Sequence, residues 1–470
     1  MKGGFVCSKL GSLRSLVCPP ESCGGPSTVR QALAYLSPPA GLRVAVSMHT
    51  EEEYIDRHEG FRPYDPSKVP ASQDLLGLIA EAEELAGYQE TRARRRRPAD
   101  QRVYRDGLSA LVCDLVHCHL ESPGTWVTVE FSKQDLGAKT RRAPFMTEAF
   151  PSLVRCLAEA GVAEVEVGYR TQFGNVRTKV RAAEFLVRRI DALGIGYSDI
   201  GRNIALQGDP LVLRVGAGSA KRTAPLPEDD RVPRLRAEML EINAWLAEAP
   251  ITWEGEEDVD TGCRFLCRIF NQGSLERGGR LYFGFWQDLG SEDRLAYLRI
   301  AGSPVVSLDF AQMAVHLAYA KVGATPPDGD LYAHPWFPRE GVKRVLTAML
   351  AASAPFRRMP HGCRQYFRKR VSVDDVVSEL ARRHYPLAPL FFKDNSLDLM
   401  NLESQIMVKA LLSLKARGVV ALPVHDCVLV AEGALQAARE ELGRASREVV
   451  GVDIPVVVST MAHSTNTYPG

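Results

Sequence analysis

The sequence predicts an α+β protein of more than one domain, and three observations carry that expectation. Its 470 residues exceed what one ordinary hydrophobic core organises, so two or three domains are expected. Stretches with apolar residues three and four apart alternate with short runs of apolar–polar alternation, which interleaves helices with strands. Two breaks interrupt the pattern: the run Arg94–Arg97 before Pro98, and Pro225 and Pro227 with the acidic Glu228, Asp229 and Asp230. These breaks give an unassigned N-terminal region ending in a basic linker (1–100), a first α+β domain (101–224) and a second (234–470).

Composition narrows the functional classes. Apolar residues make up 45% and charged residues 24%, as in soluble globular proteins, and the formal net charge is +1. That balance excludes a globally basic DNA-coating protein, although a local basic groove is compatible with it. No run of 18 apolar residues exists, so no membrane span is expected. The N-terminal Met1–Pro20 is broken by Lys9 and Arg14 and lacks a sustained signal-peptide core, so a cytoplasmic location is expected. Of the ten cysteines, Cys7, Cys18 and Cys23 lack paired metal spacing. Cys263 and Cys267 lie four apart in a stretch read as an apolar helix, without two further ligands nearby, so buried thiols are expected throughout.

The elements follow in order. Leu75–Leu85 has helical spacing. Arg105–His119 reads as a helix, Trp126–Phe131 as a strand, and Phe150–Ala160 as a helix stopped by Gly161. Val162–Tyr169 and Val176–Val180 flank Phe173-Gly174-Asn175 and read as a hairpin. Helices followed by a two-stranded hairpin resemble the winged-helix DNA-binding domain. Such a wing would set Arg170, Arg177, Lys179 and Arg181 against phosphates, giving affinity without sequence reading. The same pattern fits a small α+β domain with an ordinary polar hairpin. Further on, Arg234–Ala249 reads as a single helix.

The chemistry gathers in the second domain. Val305–Leu308 is a short β-rich run ending in Asp309 and entering a helix. Val419–Val424 is another, ending in His425-Asp426 and followed by Val428-Leu429-Val430, a strand–turn–strand unit with Asp426 at its tip. If these strands are neighbours, two carboxylates converge, which is what a pair of magnesium ions roughly 3.5–4 Å apart requires for phosphoryl transfer. Arg339 and Lys343, four apart on one helix face, would hold a triphosphate and neutralise the leaving pyrophosphate. Taken singly, each piece has an ordinary structural reading as a cap, a turn or a solvated helix face.

The ordered set resembles the palm and fingers of family A DNA polymerases and their relatives, the single-subunit phage-type RNA polymerases, over about residues 278–459. Gly279-Arg280-Leu281 with Gln287 is similar to the stretch before the first catalytic motif, whose arginine touches the minor groove at the primer end. Leu308-Asp309-Phe310 through His316 resembles motif A. Gly329-Asp330-Leu331-Tyr332 resembles the segment that opens the fingers, and Arg339 and Lys343 match the start of the fingers helix. Asn401 and Gln405 match a polar pair that approaches the template-primer, and His425-Asp426 matches motif C. The resemblance implies a right-hand palm with an antiparallel sheet and helical fingers, preceded by the winged-helix-like domain. It further implies a template-directed nucleotidyltransferase. Asp309 and Asp426 would bind Mg2+ or Mn2+; Arg339, Lys343, Ala314 and His316 would face the nucleotide. A DNA template-primer and nucleoside triphosphates are the implied partners, and replication or priming of a mobile element the implied setting.

Departures from the family refine these expectations. The fingers helix has Ala351, with Thr347 at the intermediate site, where the family places an aromatic residue eight after the lysine. Cys427 follows Asp426 in place of an acidic residue. Ala314 replaces the glutamate that excludes a ribose 2′-hydroxyl, which with His316 resembles the RNA branch and implies acceptance of ribonucleotides. Only about 50 residues lie between the Pro225 break and Arg280, too few for a full thumb, so low processivity is expected. Two other readings remain: a catalytically silent polymerase-like protein used for DNA binding or regulation, favoured by Ala351, and a different two-metal phosphotransferase such as a nuclease.

Overall fold

The computed structural model describes residues 61–89, 96–132, 136–137, 143–171, 174–216 and 221–461. Met1–Pro20 with Cys7, Cys18 and Cys23, together with Arg94 and Phe173, lies outside the described residues.

The first body contains β1 (Phe61–Pro63), β2 (Lys68–Pro70), α1 (Gln73–Tyr88), α2 (Pro98–Glu121), β3 (Trp126–Val129), α3 (Phe150–Glu159), β4 (Ala163–Glu166), β5 (Arg170–Thr171), β6 (Gly174–Asn175), β7 (Thr178–Ala182), α4 (Glu184–Leu193) and β8 (Ile200–Arg202). Local chemistry sets the ends. The Ser72 side chain accepts from the Leu75 amide at 3.2 Å and caps α1, while Pro98 opens α2, where its missing N–H costs nothing. Gly161 follows α3 with φ +72°, in the left-handed region that ends helices. The expected hairpin forms as β4 and β7, in register Ala163↔Ala182 to Glu166↔Lys179. It belongs to a four-stranded sheet of order β1-β3-β7-β4, in which β1 runs parallel to β3. Residues on both sides of position 100 share its core: Tyr64, Leu75 and Leu78 pack with Leu111, Leu115 and Phe150.

The second body contains β9 (Leu211–Val215), β10 (Arg222–Ala224), α5 (Arg231–Glu248), β11 (Ile251–Trp253), β12 (Cys267–Asn271), β13 (Ser274–Tyr282), α6 (Ser291–Tyr297), β14 (Leu298–Ile300), β15 (Ser303–Phe310), α7 (Met313–Lys321), α8 (Arg339–Ala351), α9 (Val373–Arg383), α10 (Ser396–Ala416), β16 (Ala421–Val424), β17 (Cys427–Ala431), α11 (Leu435–Val450) and β18 (Val456–Ser459). One sheet has the order β10-β9-β12-β13; the other has β11-β14-β15-β17-β16, with β18 also on β15. One core joins them, with Phe270, Trp286, Leu308, Val345, Leu411 and Leu442 fully or almost fully buried. The stretch around Cys263 and Cys267 is not the expected helix. Cys267–Asn271 is a strand, parallel to β9 and antiparallel to β13, and pairing on both sides outweighs a local helical spacing. The described cysteines are free thiols; Cys113, Cys118, Cys156 and Cys363 are buried, and Cys263, Cys267 and Cys427 half-buried.

The chain is thus a mixed α+β protein. Among the described residues, no helix is long and apolar enough to cross a membrane. The two cores are bridged by Asp260, which accepts from Arg202 Nη2 at 2.5 Å and from His117 Nε2 at 2.9 Å.

Candidate active site

The site is built on a strand and a turn. β15 buries Val305, Val306, Leu308 and Phe310 and leaves Asp309 solvent-accessible near its end. Its neighbour β17 is antiparallel, with Asp309 opposite Cys427, and β16 joins β17 through the two-residue turn His425-Asp426. His425 takes φ +58°, the sign that the first position of a tight hairpin requires. The Phe310 amide donates to the Asp426 carbonyl at 3.2 Å, so the two acidic residues lie side by side through the main chain. On the other flank β18 sets Val457 opposite Asp309, and the Ala311 amide donates to Pro455 at 2.8 Å.

The electrostatics follow from that placement. Desolvation raises Asp309 to about 7, the carboxylate of Asp426 adds to the rise, and Lys343 opposes it. A second carboxylate close by disfavours ionisation of Asp309 unless a cation lies between the two. Among the described residues neither carboxylate forms an ion pair, and no group of three or more His, Cys, Asp or Glu gathers as a metal site. The donor set is therefore two carboxylates. This fits a magnesium or manganese ion, which takes oxygen ligands and completes its shell with water and substrate phosphates.

The cations come from α8. Lys343 is exposed and close enough to favour the ionised form of Asp309. Arg339 donates from Nε to Asp330 Oδ2 at 2.6 Å and lies 5.4 Å from the centre of the Tyr332 ring. Tyr332 is buried and its hydroxyl bonds Thr347; burial pushes that hydroxyl up to about 12, and Asp330 and Asp426 add to the rise. Gln312, at φ +55° before α7, accepts from the Leu331 amide at 2.8 Å and ties this segment to the end of β15. Tyr332 is thus a core residue packed beside α8, and Ala351 ends that helix.

The opposite wall is the contact of β13 with α10. Gly278 and Gly279 have φ +80° and +90°, and a Cβ on Gly279 would lie 2.8 Å from Ser404 Oγ. Only glycine tolerates both the backbone and the close approach. The register shifts here, and Arg280 follows. Its guanidinium pairs with both oxygens of Glu403, at 2.5 and 2.8 Å. Glu403 is 5% exposed; burial pushes its carboxyl up while Arg280 opposes the rise. Buried Asn401 donates to the Leu275 and Gly278 carbonyls, at 3.1 and 3.2 Å, and accepts from Gln405 at 2.7 Å. Gln405 itself is exposed. The Gln287 amide donates to the Leu281 and Pro423 carbonyls, at 3.0 Å each, and braces the strand leading to His425. His425, exposed at the turn, has its pKa lowered by burial and then by Arg280, and its ring meets Tyr282 edge-on at 5.7 Å.

Asp309, Asp426 and Lys343 thus come together, with Arg280 and Glu403 near enough to act on Asp426 and Asp309. Ala314 and His316 lie half-exposed on α7, and burial lowers the His316 pKa. The hairpin cations are a separate group on the first body. Arg177 is exposed, Lys179 lies 4.7 Å from the Phe61 ring centre, and Arg181 pairs with Glu164 at 2.5 Å and stacks on Trp126. The side chain of Arg170 lies outside the described residues. Sequence reasoning missed Glu403. The available signal for Glu403 was its place on the helix's apolar stripe, four after Leu399 and three before Ile406.

No known family's sequence profile matches the chain, and no curated protein matches it. Among solved structures it is similar to the POL domain of Pol1 from M. smegmatis in complex with DNA primer-template and dNTP. The identity is 10% and the TM-score 0.30, and the match spans 84% of this chain and 66% of that one.

Proposed function

We propose that this chain is a template-directed nucleic acid polymerase, with β15, β17 and β18 as the palm and α8 as the fingers helix. One observation carries the reading: Asp309 and Asp426 adjoin through the Phe310–Asp426 main-chain bond, with Lys343 near enough to act on Asp309. In the proposed reaction a primer 3′-oxygen bonds to the α-phosphorus of a nucleoside triphosphate, and the bond to pyrophosphate breaks. Asp309 and Asp426 hold Mg2+ or Mn2+, which when bound lowers the pKa of the attacking hydroxyl and offsets charge on the phosphoryl group. Lys343 offers its ammonium to the triphosphate. Arg339 exchanges Asp330 for a phosphate oxygen, which a guanidinium matches in shape. Arg280, oriented by Glu403, borders the primer end with Gln405 and His425. Ala314 presents no bulk to a ribose 2′-hydroxyl, so both ribo- and deoxyribonucleotides are accepted.

The experiment is primer extension on a primed template with Mg2+ or Mn2+, comparing rNTPs with dNTPs. Asp309→Asn and Asp426→Asn are each expected to lower extension by about 1000-fold or more without loss of fold by circular dichroism. Extension that survives in either variant would falsify the assignment. A specific observation favours a second reading, a DNA-binding protein without chemistry: Arg280 and Arg339 are both held by internal carboxylates. Binding of primed template without extension in the wild type is its outcome.

A further inference from the structure

The segment after α8 carries an unusual charge. From Gly341, within α8, to Val373 the chain has no Asp or Glu, yet it holds eight Lys and Arg residues, in a protein whose formal net charge is only +1. Arg357, Arg358, Arg368, Lys369 and Arg370 are all exposed. Of the bordering acids, Glu340 accepts from Arg344 at 2.8 Å and Asp375 caps the Ser372 amide at 2.8 Å, while Asp374 is exposed.

This is a built surface rather than a solvated tail. Cys363 and Phe367 are buried in the core, and a Cβ on Gly341 would lie 2.8 Å from Tyr366 Cβ, so the segment is seated on α8 itself. Arg364, itself exposed, donates to the Val371 carbonyl at 2.8 Å, which shapes the loop carrying Arg368, Lys369 and Arg370. Beside that loop stands an aromatic platform. Phe337 meets Phe367 at 5.5 Å and stacks on His334 at 4.6 Å, and His334 supports Trp336 at 5.5 Å. The Trp336 side chain is 70% exposed. Cations that follow a phosphate backbone, next to an aromatic face on which a base stacks, are the two components of single-strand recognition.

We propose that Arg368, Lys369, Arg370 and Trp336 form a binding surface for single-stranded nucleic acid, the unpaired template ahead of the site. The identity of the strand as template rests on the polymerase reading; the surface itself does not. The test is fluorescence anisotropy of a labelled oligothymidylate of about 20 nucleotides, in EDTA and without nucleotides, as a function of salt, with a blunt duplex as competitor. Neutralising the three cations (Arg368→Gln, Lys369→Gln and Arg370→Gln together) is expected to weaken binding about tenfold at low salt and to flatten the log–log salt slope by about 2. Trp336→Ala is expected to weaken it several-fold with the slope unchanged. The proposal is overturned if the triple variant keeps the wild-type slope, if Trp336→Ala changes nothing, or if the duplex competes as well as the single strand. Primer extension on a template with a one-nucleotide overhang reports the carboxylate site separately. A triple variant that binds poorly in a protein that never extends upholds the surface and rejects the polymerase. An extending protein with unchanged binding does the reverse.

Discussion

Arg280 and Glu403 are the pair whose removal tells most at the scale of single residues. Glu403 is buried, Arg280 is a quarter exposed, and each supplies the other's only charge compensation at bonding distance among the described residues. Breaking one half of such a pair leaves a charge poorly solvated, at a cost of about 2–4 kcal/mol, whereas replacing both halves with apolar groups is nearly neutral. Glu403→Gln is therefore expected to lower stability by about that amount in denaturant titration. Arg280→Met with Glu403→Leu should recover most of it. A change below about 0.5 kcal/mol in the single variant would show that the ion pair contributes nothing to the fold.

Among elements, the contact between β13 and α10 depends on backbone shape. Gly279 and Gly302 both have positive φ, +90° and +72°, but only Gly279 would place a Cβ against a neighbour. Gly302→Ala is expected to cost about 1 kcal/mol, from backbone strain alone. Gly279→Ala should cost about 3 kcal/mol or more, because Ser404 sits on buried α10 and has little room to give. Equal losses in thermal denaturation would remove the steric part of the argument. These elements also mark what the sequence made legible. Glycine stops, the turn at His425-Asp426 and the apolar stripe of α8 are local signals, and each element formed close to where its pattern lay. The strand at Cys267 and the parallel pairing of β1 with β3 were not legible, because partners far away in sequence leave no mark on the local period. The partner of Glu403 was hidden for the same reason, being 123 residues away.

Across the whole molecule, Asp260 joins the two hydrophobic cores, and that junction is expected to be sensitive to acid. Burial lowers His117 from 6.5 to about 4, and Lys68 adds to the fall. Its Nδ1 is buried with no hydrogen-bond partner among the described residues, as suits a neutral ring donating from Nε2 to Asp260. The unfolded chain thus binds a proton that the folded one refuses between about pH 4 and 6.5, so stability rises with pH across that window and is lost as pH falls through it. The loss is expected to be on the order of a few kcal/mol in the wild type and absent in His117→Gln, read as melting temperature against pH. A parallel pH dependence in the two proteins would mean that His117 is already charged. Asp260 acts in a lower window: burial is outweighed by Arg202 and His117, which hold it at about 2. The strand order has a further consequence for synthesis. Asp309 is bracketed by Cys427 and Val457, both made long after it. A nascent chain released early would carry the first acidic residue on an unpaired edge, without its companion and without charge chemistry. The bare strand of such a chain would be open to pairing with other chains.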